Sequence, residues 1–180
     1  MFTQEKYLKA LNFAAKVHGE QKTPNGLPYL THLCCVAMEI IHACEESKLE
    51  QKKSDIAIAV ALLHDTTEDT NTTYDELYSE FGAEIAEGVD ALTKDKTLPS
   101  KKEQMQDSIN RLLMQPYEIQ MVKLADRITN LQRPPEHWDG LKILNYHKEA
   151  KFIHSCLKNS NLYLSKRLEE KIGNYIVYIK

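Results

Sequence analysis

A chain of 180 residues has room for one domain with a substantial core. At 42% hydrophobic and 27% charged residues it is composed like an ordinary soluble globular protein. Its net charge of −3 offers no general basic field for nucleic acid, though a local basic pocket for a small anion remains open. No apolar run approaches the roughly 20 residues that cross a membrane, and MFTQEKYLKA lacks the basic and apolar regions of a signal peptide. The four cysteines lack Cys-x-x-Cys spacing and read as reduced thiols in the cytoplasm, with Cys34 and Cys35 as small core residues.

Apolar residues recur at three and four along most of the chain, so the expected fold is all-α, a single compact helical bundle spanning residues 1–180. The first helix is expected over about 4–19, with Thr3 as N-cap and Tyr7, Leu11, Ala14 and His18 on one stripe. KTPNGLPY is a turn-rich loop, followed by a helix over about 31–46 with Leu33, Val36, Ala37, Ile40, Ile41 and Cys44 inward. A third helix, about 54–65, is apolar nearly all round and belongs in the interior. Thr73 and Glu76 have capping-box spacing and start a short helix ending near Gly82. Further helices are expected over about 83–93, 100–114, 117–131, 141–158 and 162–172, with Pro116 and RPPEHWDG as breaks. The terminal NYIVYIK has strand-like composition but no partner strand.

Within LLHDTTEDTNTT the buried third helix runs into His64 and Asp65, then Glu68 and Asp69. Desolvating unpaired charge is costly, so the run calls for a metal site, a helix-end charge cluster or an acid-base pair. Imidazole plus carboxylate suits Mn²⁺, Fe²⁺ or Zn²⁺. Further donors lie on other apolar stripes: His32 opens the second helix, and Asp126 sits between Leu124 and Ile128. Singly, His32 reads as a satisfied helix-start histidine and Asp126 as a partner of Arg127. Together the four form a His-His-Asp-Asp set. Glu68 and Asp69 read either as a solvated acidic cluster or as carboxylates that position and deprotonate a water acidified by the cation. Lys22, Lys94, Lys96, Lys123 and Arg127 are the nearby cations that could balance a phosphorylated substrate.

GLPYLTH, ALLHDTTEDTNTT, FGAEIAEGVDALTKDKTLP and VKLADRITNL, with the pattern H…HD…D, resemble the HD-domain metallophosphohydrolases, and among them the RelA/SpoT alarmone hydrolases. The chain's length makes it most similar to their stand-alone small members. The resemblance implies an all-helical HD fold and Mn²⁺-dependent removal of the 3′-pyrophosphate of ppGpp or pppGpp. It implies His32, His64, Asp65 and Asp126 as metal ligands and Glu68 with Asp69 as the pair that activates water. Asn130 and Tyr146 match nucleotide-contacting residues. The loop GEQKTPNG departs from the Arg-Lys pair that long members use to hold guanine, leaving Lys22 for the base and Asn25 near the phosphates. Leu33 likewise replaces a proline after the first histidine.

Two other functions compete: an HD phosphatase for a different phosphorylated nucleotide such as NADPH, and a module that senses a nucleotide without cleaving it. In each the partner is a small nucleotide, with neither nucleic acid nor membrane.

Overall fold

The computed structural model describes residues 3–179. Ten α-helices follow one another among them: α1 (Gln4–His18), α2 (Leu30–Glu46), α3 (Gln51–Leu63), α4 (Thr66–Asp69), α5 (Tyr74–Phe81), α6 (Ala83–Leu92), α7 (Lys101–Leu113), α8 (Tyr117–Asn130), α9 (Gly140–Leu157) and α10 (Leu162–Tyr175). A 3₁₀ turn, Ile176–Tyr178, follows α10, so NYIVYIK is helical over 174–178 and extended at Ile179. No strand occurs among the described residues; an isolated bridge between Lys22 and Pro28 closes the loop after α1. No helix is long and apolar enough to cross a membrane.

α3 is the axis of the fold, packed against α1, α2, α6 and α8. Every residue from Ala57 to Leu63 is buried, as its all-round apolar sequence requires. α8 lies beside it and is buried continuously from Met121 to Ile128. Three charged residues, Lys123, Asp126 and Arg127, are therefore carried into the interior with it.

Several helix starts follow their sequence signals. Thr73 Oγ1 accepts from the Glu76 N–H at 3.2 Å, and Ser100 Oγ accepts from the Glu103 N–H at 3.2 Å while donating to the Glu103 carboxylate. Asp139 and Asn161 cap α9 and α10 in the same way. Gly82, at φ 85°, turns the chain between α5 and α6 in a conformation that side chains disfavour.

Three sequence expectations are corrected. Thr3 sits at the N-cap of α1 but makes no side-chain cap there; its N–H and hydroxyl instead donate to Asp55 at 2.7 and 2.9 Å. Cys35 is exposed and Cys34 half-buried, because the inward stripe of α2 is Leu33, Val36, Ala37 and Ile40, and Cys35 lies off it. The third helix stops at Leu63 rather than Asp65: Asp65 adopts φ −102°, ψ 0°, and a new four-residue turn begins at Thr66.

Candidate metal centre

The break after Leu63 is held by the residues around it. A helix end leaves carbonyls without partners, and the Ala61 carbonyl takes the Nδ1–H of His64 at 2.8 Å. That bond fixes the ring and leaves Nε2 facing the interior. The threonines of TTEDTNTT hold the next turn: Thr66 Oγ1 donates to the Leu63 carbonyl at 2.7 Å and Thr70 Oγ1 to the Thr66 carbonyl at 2.6 Å. Thr67 Oγ1 meets Thr93 Oγ1 at 2.6 Å, tying α4 to the segment after α6.

Four side chains from three parts of the chain converge here. His32 Nε2, from the first turn of α2, lies 3.6 Å from Asp65 Oδ2 and 3.5 Å from Asp126 Oδ1. His64 Nε2 lies 3.0 Å from Asp65 Oδ2 and 3.8 Å from Asp126 Oδ1. Donor atoms at about 2.1 Å from a shared ion sit roughly 3 to 3.5 Å from one another. His32, His64 and Asp126 each offer an atom within 4.8 Å of the others. His64 Nε2 is buried and, despite the short approach of Asp65, makes no hydrogen bond. His32, His64 and Asp126 fit the donor set of a divalent cation, and Asp65 Oδ2 stands beside the two histidines.

The electrostatics agree. Burial alone would lower the pKa of His64, yet the charges of Asp65 and Asp126 push it up to about 10. Burial opposes ionisation of Asp65, but the two histidines hold it well below the usual carboxylate range. Asp126 is likewise held low, by Lys123 and the histidines against burial. A buried Asp126 and a half-buried Asp65 demand positive charge at this point, which a divalent cation supplies without a proton.

The carboxylates are themselves held. Tyr29, one helical turn before His32, donates its hydroxyl to Asp65 Oδ2. Asn130, one turn after Asp126, donates its amide to Asp126 Oδ1, and Lys123 Nζ lies 3.5 Å from Asp126 Oδ2. Arg127 is not the partner of Asp126: its guanidinium pairs with Glu149 and covers the ring of Tyr146 at 4.3 Å.

Glu68 and Asp69 follow on α4. Glu68 accepts from the Lys94 N–H and Nζ, both at 3.2 Å, and Asp69 accepts from the Gln21 amide at 3.0 Å. Gln21 Oε1 in turn accepts from His18 Nδ1 at 2.7 Å, and the His18 ring stacks on Tyr29. Lys22 and Asn25 are exposed on the loop after α1, away from the buried donors. Tyr146 is half-buried on α9 between Arg127 and the edge of Trp138, with burial first and the charge of Asp126 next raising its pKa.

Tyr29, Gln21 and His18 are functional neighbours that sequence reasoning missed. A hydroxyl three residues before His32 and the spacing His18-x-x-Gln21 are local signals, but their partners lie across the fold.

The fold and the His-His-Asp-Asp centre define a class of metal-dependent phosphohydrolase, and the chain belongs to the HD domain family, whose model matches residues 10–159. Among individual proteins, it is 36% identical over 169 residues to the Danio rerio guanosine-3′,5′-bis(diphosphate) 3′-pyrophosphohydrolase MESH1, covering 91% of this chain and 90% of that one. The Homo sapiens MESH1 is 34% identical, with 90% of each chain covered. The solved structure of a metazoan SpoT orthologue that hydrolyses ppGpp, with a role in starvation responses, superposes with a TM-score of 0.81 at 26% identity over 97% of both chains.

Proposed function

We propose that this chain is a hydrolase that uses Mn²⁺ to remove the 3′-pyrophosphate of ppGpp or pppGpp, giving GDP or GTP and pyrophosphate. The observation that carries it is the approach of His32, His64, Asp65 and Asp126 at 3.0 to 3.8 Å, with Glu68 and Asp69 on the adjoining turn. In this reading those four residues hold the cation. When bound there, a divalent ion polarises a phosphoryl oxygen and lowers the pKa of a water. Glu68 and Asp69 orient that water and take its proton. The water oxygen bonds to the phosphorus next to O3′, the bond from that phosphorus to O3′ breaks, and the proton held by the carboxylate pair passes to O3′, which leaves as a hydroxyl.

The remaining roles concern binding. Asn130 spends its amide on Asp126, leaving its side-chain oxygen for the nucleotide. Tyr146, whose ring is covered by Arg127 next to Asp126 in sequence, contacts the nucleotide in this reading. Lys22 and Asn25 reach the nucleotide from the solvent side of the loop. The resemblance in sequence to enzymes named for this substrate over nine-tenths of their length supports the same reading.

The test is pyrophosphate release from ppGpp by the purified protein with Mn²⁺, beside His64→Ala, with Mn²⁺ binding followed by calorimetry and NADPH as a second substrate. Release that is lost in His64→Ala is expected. Bound Mn²⁺ with phosphate released from NADPH but nothing from ppGpp would transfer the reaction to another nucleotide. Bound Mn²⁺ with turnover of neither would favour a sensing module.

A further inference from the structure

Lys94 stands among cations that could meet substrate phosphates, yet its contacts are with the protein. It lies just beyond α6, and one residue serves both oxygens of one carboxylate: its N–H donates to Glu68 Oε2 and its Nζ to Oε1, each at 3.2 Å. Two further contacts fix the same turn from the same segment. Lys96 Nζ donates to the Glu68 carbonyl at 2.6 Å, and Thr93 Oγ1 meets Thr67 Oγ1 at 2.6 Å. A four-residue helix cannot hold its own geometry in water. Residues 93–96 therefore join the turn's own threonines and Gln21 in setting the orientation of α4, and Lys94 sets the orientation of the Glu68 carboxylate. The side chains of Lys94 and Glu68 are 29% and 16% exposed, so the pair is largely withdrawn from water, where a charge-assisted hydrogen bond gains strength. Burial would discharge Lys94, but Glu68 first and Asp126 next keep its ammonium charged.

We infer that Lys94 is a positioning residue for the hydrolysis proposed above, gripping both oxygens of Glu68 so that this long, flexible side chain meets the water in one orientation. The inference rests on that reading of Glu68. Lys94 acts through Glu68 and not on the substrate. It therefore contributes to turnover and not to nucleotide affinity.

A double-mutant cycle with ppGpp and Mn²⁺ tests this, using wild type, Lys94→Met, Lys94→Arg, Glu68→Gln and the Lys94→Met/Glu68→Gln pair. Lys94→Met is expected to lower kcat by about tenfold or more with KM little changed, since small displacements of a catalytic group cost rates of this order. Lys94→Arg should recover part of the loss. In the Glu68→Gln background, removing Lys94 should cost nothing further. Losses that multiply in the pair, or that fall on KM, would instead place Lys94 on the substrate's phosphates and overturn the inference. A lowered melting temperature or weakened Mn²⁺ binding in Lys94→Met would overturn it in favour of a structural role. A crystal structure of Lys94→Met gives a readout independent of turnover, so that an inert wild type counts against the ppGpp reading alone. Glu68 is expected in more than one rotamer there, and a carboxylate unmoved from its place would refute the clamp.

Discussion

A histidine at the end of a buried helix does two things at once here: Nδ1 of His64 satisfies the carbonyl of Ala61, and Nε2 is thereby aimed at Asp65 and Asp126. Groups that orient a ligand matter nearly as much as the ligand. Tyr29→Phe, which removes the hydroxyl from Asp65, should weaken Mn²⁺ binding by about tenfold in a calorimetric titration while leaving the helices intact. Asp55 has a purely structural task far from this chemistry. It is 5% exposed and accepts from Thr3 N–H, Thr3 Oγ1 and Lys6 Nζ at 2.7 to 2.9 Å, fastening the start of α1 to α3. Burial would raise its pKa, but the Lys6 ammonium and the Thr3 donors hold it below the ordinary carboxylate value. A lowered folded pKa stabilises above the unfolded value of about 3.9 and is lost as pH falls through the folded one. Asp55→Ala should therefore cost about 2 kcal/mol in denaturant unfolding at pH 7, with the gap to wild type closing below about pH 4.

Among the elements, α6 approaches α3 and α8 closely through Gly88. A Cβ there would stand 2.9 Å from Ile119 Cδ1 and 3.2 Å from Val60 Cγ2. Alanine would gain about 1 kcal/mol of helix propensity, but overpacking costs about 1 to 3, and β-branched Val60 has little freedom to yield. Gly88→Ala should lower stability by about 1 kcal/mol in chemical denaturation, and Gly88→Val by more. α10 is pinned to α2 by Arg167, which grips the buried Glu39 carboxylate with two hydrogen bonds of 2.7 Å. Removing the guanidinium strands that carboxylate, so Arg167→Ala should cost about 2 to 4 kcal/mol. Arg167→Lys should recover part of this but not the paired geometry. These elements were largely legible in the sequence because capping boxes, prolines and apolar periodicity act within a few residues. The exceptions have equally local causes: Asp65 leaves the helix because the threonines after it bond back to Leu63 and Thr66, and Cys35 faces out because its neighbours take the inward stripe.

In the whole molecule, the centre is a junction. His32 comes from α2, His64 and Asp65 from the end of α3, and Asp126 from α8, and these three helices also form much of the core. A cation that binds the folded state alone stabilises it by about 2.7 kcal/mol at a hundredfold excess over its Kd. Mn²⁺ should therefore raise the melting temperature of the wild type in thermal scans and leave that of His64→Ala unmoved.

The sequence by itself determined the longer helices, though not the four-residue α4, and which histidines and aspartates could serve one ion, because polar residues beside the apolar stripe of a packed helix are carried inward with it. Tertiary structure alone decided the pairings. Arg127 turned to Glu149 and Tyr146 rather than to Asp126, Asn130 gave its amide to Asp126, and Gln21 and Lys94 reached Asp69 and Glu68 from distant segments. Burial follows from local periodicity, whereas the partner of a buried charge depends on which other helix end arrives within hydrogen-bond reach, and no local pattern encodes that distance.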